Sequence, residues 1–118
     1  MDRRPRSITI ICWIFIAVGS IALLISLLSI ADTAAAQRTA DLKAHWMIPV
    51  VQLLALLAGI FMLYGFNWAR WLLVVWLGFH VILSVLHSTF ELLVHSLLFA
   101  VVLYFLFRRP ASAYFLQN

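Results

Sequence analysis

His87-Ser88-Thr89-Phe90-Glu91-Leu92-Leu93-Val94-His95, residues 87–95, decides the fold, because it either continues one helix or turns the chain between two. Within a single helix from Trp68 to Phe107 it would lie in a rod of ~60 Å, about twice the ~30 Å hydrocarbon thickness of a bilayer. The chain is therefore expected to turn inside this run. No glycine or proline marks the break, but Ser88-Thr89-Phe90-Glu91 has the S-x-x-E form of a capping box. In that motif the serine hydroxyl accepts a backbone N–H of the new helix and the glutamate reaches back to the serine's own N–H. A helix from Thr89 to Phe107 is ~28 Å long, nearly one crossing, whereas the uncharged run from Leu92 to Phe107 alone reaches only ~24 Å. Capping and length point to the same turn.

The surroundings make a bilayer the medium in which this length argument applies. Of 118 residues, 66% are hydrophobic and 10% charged, against roughly 45–50% and ~25% in a soluble domain. An all-α, polytopic membrane protein follows, with four transmembrane helices in one antiparallel bundle over residues 1–118. The first span, 8–31, carries no charge from Ile8 to Ala31. Its flanks, Arg3, Arg4 and Arg6 before and Ala34-Ala35-Ala36 after, suit a signal peptide. The run itself is too long for that, since a signal peptide's apolar region is ~7–15 residues, and a retained span is expected. Residues 32–45, DTAAAQRTADLKAH, read as an extracytoplasmic loop or short helix. The second span, 46–64, has Pro49 in its first turn, where a missing N–H costs no helical bond, and Gly65 as its stop. Asn67 suits the N-cap of the third span, 68–87, and the short connection makes spans two and three antiparallel neighbours. The fourth, 89–107, is ended by Arg108, Arg109 and Pro110.

Positive charge gathers at the N-terminus, at Arg70 and at Arg108 and Arg109, so both termini are expected on the cytoplasmic side. Because the basic residues of this chain, net charge +4, cluster at predicted boundaries rather than along one face, nucleic acid is not an expected partner. Trp46, Trp68, Trp71, Tyr104 and Tyr114 fall where interfacial aromatics belong. The small pairs Ala22/Ser26, Ala55/Gly59 and Ser96/Ala100 offer faces for close helix approach. The lone Cys12 excludes an intrachain disulfide and reads as a packing residue.

The polar residues of the apolar runs are the candidate sites. On one continuous helix His80, Ser84, His87, Glu91 and His95 would share a narrow sector, but the turn divides them. Glu91 then reads first as part of the cap. A metal site from His87, Glu91 and His95, with His45 as a further donor, would suit zinc or copper(II), though the spacing matches no strong metal motif. His80 lies ~18 Å along the third span, near the bilayer middle. It is a candidate intramembrane polar site with Gln52, or alternatively a neutral histidine hydrogen-bonded across helices. Haem b would require His80 to face a histidine of another span or subunit. No nucleophile with a base, thiol pair, phosphate loop or carboxylate pair occurs, so an enzyme is not expected.

Arg4-Pro5 with Ile8-Thr9-Ile10, Trp68-Ala69-Arg70, and Arg109-Pro110-Ala111-Ser112-Ala113-Tyr114-Phe115 run in order along the whole chain. In these motifs it resembles an uncharacterised family of small prokaryotic four-helix membrane proteins. The resemblance implies an inner-membrane location and no particular activity, and the histidines lie outside its motifs. Small multidrug exporters have a similar size, but the first span here lacks their membrane glutamate. The expected function is that of a non-catalytic integral membrane protein, an accessory or structural subunit beside a membrane-protein partner or a homo-oligomer. The alternatives are a small transporter or channel using His80 and Gln52, and a metal- or haem-binding protein using His80, His87 and His95.

Overall fold

A computed structural model describes residues 4–35 and 46–117. Among them the chain is all-helical: α1 Arg6–Ala35, α2 Met47–Leu63, α3 Asn67–Val85, α4 Thr89–Phe107 and α5 Arg109–Leu116. α1, α3 and α4 are long and apolar enough to cross a membrane by length and composition, while α2 is a shorter apolar helix of 17 residues. α1 continues past the expected span end at Ala31 to Ala35. The alanines favour helix there, and the Thr33 hydroxyl is absorbed by the Ser29 carbonyl at 2.9 Å. The expected loop 32–45 therefore starts later, and its remainder, with His45, lies outside the described residues.

The turn at residues 87–95 forms where expected. Ser88 is extended, and its Oγ accepts from the Glu91 N–H at 3.2 Å. The second half of the capping box is not made, because the Ser88 N–H bonds back to the Ser84 carbonyl at 3.3 Å. The α2–α3 turn is a Schellman motif. Gly65 takes φ 83, its N–H donates to Met62 O at 3.0 Å, and the Phe66 N–H donates to Phe61 O at 3.1 Å. The Phe61 and Phe66 rings, 5.6 Å apart, supply the apolar contact that accompanies this turn. So compact a turn leaves only Tyr64, Gly65 and Phe66 between the helices, and Phe66 is the N-cap of α3. Asn67 is already helical, which corrects its expected role, and its Oδ1 is buried without a partner.

From α1 to α4, consecutive helices pack antiparallel. α1 and α2 come closest: a Cβ on Gly19 would meet the Leu56 backbone at 3.1 Å, and one on Gly59 would meet the Cys12 carbonyl at 3.1 Å. Ala55 and Gly59 are thus the contact face of α2, as their spacing suggested, and Cys12 is fully buried as a packing residue. α3 rests on α2 and α4 on α3, while α1 and α4 touch far less. The core is densest at the end holding both chain termini. Ile8, Met62, Leu73, Leu106 and Phe115 are all fully buried there.

Arg109 and Pro110 do more than stop a span. Arg108 is extended at φ −64, ψ 157, and Pro110 sits in the first turn of α5, where its ring is compatible with a helix start. α5 folds under the bundle and buries Ala111 and Phe115, one turn apart on the same face.

Candidate functional site

The described polar groups collect at two levels, one around His80 and one around Arg70. His80 sits on α3 with its ring against Trp76, the centroids 3.9 Å apart. Its Nδ1 lies 2.9 Å from the Trp76 carbonyl. A carbonyl only accepts, so Nδ1 carries a proton, and Nε2 is the ring nitrogen left without a protein partner among the described residues. Trp76 is itself pinned, its indole N–H donating to the Val51 carbonyl of α2 at 2.7 Å.

Across the turn, His95 places Nδ1 2.8 Å from the Glu91 carbonyl and 2.9 Å from Ser84 Oγ. The Ser84 hydroxyl donates to the His80 carbonyl at 2.7 Å, so it accepts the His95 proton. A chain of donors thus runs from His95 through Ser84 to the backbone of His80. Ser84 is buried, and the His80 and His95 rings lie near-parallel with centroids 6.3 Å apart.

His80 borders two cavities. One, of about 230 Å³, is shared with Gln52, Val51 and Phe79 between α2 and α3. The other, of about 210 Å³, is shared with His95, Phe15 and Trp76 on the α1 side. The walls are almost wholly apolar apart from the histidines and Gln52, and the volumes fall below the ~300 Å³ at which drug-sized pockets begin. Gln52 and His80 line one cavity without a hydrogen bond between them among the described residues.

His87, Glu91 and His95 do not converge. His87 is exposed and turns Nδ1 to the Leu83 carbonyl at 2.8 Å. Glu91 is exposed at the cap, and His95 is drawn inward by Ser84. Among the described residues no three His, Cys, Asp or Glu side chains are gathered as metal donors. What the structure brings together is His80, Ser84 and His95. These three belonged to the five-residue sector of the rejected continuous helix; in the hairpin His80 and His95 border one cavity with Ile14, Phe15 and Val18 of α1.

The second level is built from arginines that sequence reasoning took as topology signals. Arg70 is only 4% exposed, its guanidinium 4.5 Å from the Phe107 ring centre and 5.3 Å from that of Phe115. Its Nη1 donates to Leu106 O and Ser112 Oγ, each at 3.4 Å, and Nε is buried without a partner. Arg4 donates to the Leu63 carbonyl at 3.0 Å and Tyr114 to the same oxygen at 2.8 Å, satisfying the end of α2. Arg108 Nη2 donates to Ser7 Oγ at 2.8 Å and ties α4 to α1. The only signal for this cluster was the i, i+4 pair Ala111/Phe115, which marks a helix face that needs cover.

No family model, curated protein or solved structure matches the chain.

Proposed function

We propose that the chain is a four-span protein of a prokaryotic inner membrane, with both termini cytoplasmic, serving as a non-catalytic accessory or structural subunit or a homo-oligomer. α2 supports the fourth span: 17 residues give ~26 Å, and Trp46 and Tyr64 flank it as interfacial anchors. The arginine-lined end supports the orientation, and the ordered Arg-Pro, Trp-Ala-Arg and C-terminal motifs support membership of the small four-helix family.

The observation that carries the subunit reading is the outer face of α4. Phe90, Leu93, Leu97 and Tyr104 are 76, 65, 68 and 66% exposed. With exposed Ala100 they repeat at alternating steps of three and four, the seam by which one helix packs on another. Ala100 sits in that seam as the small residue that permits close approach. The test is cross-linking in mild detergent and in native membranes, with co-purifying proteins identified. A dimer or defined complex weakened by Ala100→Ile is expected; only monomer, in both settings, would overturn the reading.

A second reading is favoured by the two cavities flanking His80: a small transporter moving protons or hydrated cations past its Nε2 and Gln52. Proteoliposome flux abolished by His80→Ala would support it, and flux indifferent to that change would remove it.

A further inference from the structure

α1 and α4 diverge and leave a cleft of about 360 Å³, walled by Ser7, Ile10, Ile11, Ile14, Val101 and Phe105. Leu98 and Ile14 also border the His80/His95 cavity, so the two spaces adjoin along the bundle. From Ser7 to Val18 the combined path follows α1 for ~16 Å. The walls of the cleft itself are apolar apart from Ser7, at the end where Arg108 stands. Its Nη2 holds Ser7 Oγ at 2.8 Å, and its guanidinium carbon is 5.0 Å from the Phe105 ring centre, so two wall residues touch it.

Arg108 Nε is buried and has no partner. Two features of charge bear on what would complete it. The described carboxylates, Asp32 and Glu91, are both at the opposite end of the bundle, and the same end as Arg108 also holds Arg4, Arg6, Arg70 and Arg109. A guanidinium fork with spare donors, no carboxylate at its end among the described residues and an apolar slot beginning at its feet matches one kind of molecule, since such forks suit phosphate oxygens. We propose that the α1–α4 cleft binds an anionic phospholipid, its phosphate held by Arg108 and one acyl chain laid along Ile10, Ile14 and Val101. The inference rests on the bilayer placement but not on the subunit role.

The test presents detergent-purified protein with equimolar phosphatidylglycerol and phosphatidylcholine and counts bound lipid by native mass spectrometry, with inorganic phosphate as a competitor. One phosphatidylglycerol per chain is expected, favoured about tenfold over phosphatidylcholine, and Arg108→Gln should lower that binding about tenfold. Val101→Trp fills the cleft from a half-exposed position without touching Arg108 and should also displace the lipid; it keeps the proposal testable if Arg108→Gln misfolds. Equal retention of both lipids, or binding indifferent to Val101→Trp, overturns the proposal. So does displacement by millimolar inorganic phosphate, which would make the site one for a free anion. Oligomeric state, read from the same spectra, reports separately on the subunit reading.

Discussion

Ser84 Oγ and His95 Nδ1 lie 2.9 Å apart across the α3–α4 turn. The serine is one turn above His80 on one helix, and the histidine nearly two turns into the next. Their contact joins the two arms near the turn, as Arg70 and the Leu106 carbonyl join them at the other end, and it fixes which way the His95 ring faces. Without it, the Glu91 carbonyl alone would hold Nδ1.

Ser84→Ala removes this link but leaves His95 its backbone acceptor. The expected loss is about 0.5–1 kcal/mol, the usual worth of an interhelical hydrogen bond in a membrane bundle. Reversible unfolding in mixed micelles measures it. A loss above about 3 kcal/mol would mean the chain of donors carries more of the fold than this geometry implies.

Ser88→Ala and Glu91→Ala separate the two halves of the cap. Only the serine side chain makes its bond, so Ser88→Ala should cost about 1 kcal/mol. Glu91→Ala loses only its charge at the start of α4, a few tenths of a kcal/mol and screened by salt. Equal costs would show that the reciprocal arm of the box forms in the membrane.

Glycine to alanine should divide by position. At Gly59 the added methyl meets Ile16 Cγ1 at 3.0 Å and the Cys12 carbonyl at 3.1 Å, forcing α1 and α2 apart. Overpacking of this kind costs about 1–3 kcal/mol. At Gly78 the nearest atoms are those of the Phe99 ring at 4.0 Å, so Gly78→Ala should be neutral or stabilising by up to about 1 kcal/mol through helix propensity. Thermal midpoints of the two variants in the same detergent make the comparison.

Arg70→Ala should release α5. The guanidinium lies over Phe107 and Phe115 and bonds Ser112, so its loss removes a desolvated cation–π contact worth about 2 kcal/mol and leaves a hole beneath the helix. A cysteine replacing the fully buried Phe115, in a Cys12→Ala background, would probe this. Labelling by a soluble maleimide should be slow with Arg70 present and fast in Arg70→Ala. Slow labelling in both would mean that Ala111 and the α5 backbone hold without the arginine.

Features set by neighbours along the chain were legible in the sequence. Ser88, Gly65 and Pro49 each act within one turn of helix, and their effects could be read from a few adjacent residues. The misread details were local competitions. Asn67 lost the cap to Phe66 because the Schellman turn consumed the preceding residues, and Glu91 lost its half of the box because Ser84 O had already taken the Ser88 N–H. Of the candidate site, His80 and His95 were named, together with His87 as alternative metal or haem ligands and apart as an intramembrane polar site with Gln52 and a metal group with His87 and Glu91. Pairing His95 with Ser84 rather than with His87 and Glu91 needs the rotation of α4 about its axis, which periodicity leaves open.

The all-helical class and the position of each described turn were determined by sequence alone, because in an apolar medium every backbone group must be satisfied within its own segment and the breaks must carry caps. Arg70 is a different matter. As a symbol it is one more positive residue at a boundary; its burial arises from Leu106 and Ser112, which lie 36 and 42 positions away, and from a short helix folded beneath it. The same holds for the Gly59–Cys12 approach and for the cleft that ends at Arg108. Each depends on how far helix axes are separated, a quantity set by the summed shapes of side chains distant in the chain, and only the tertiary structure decides it.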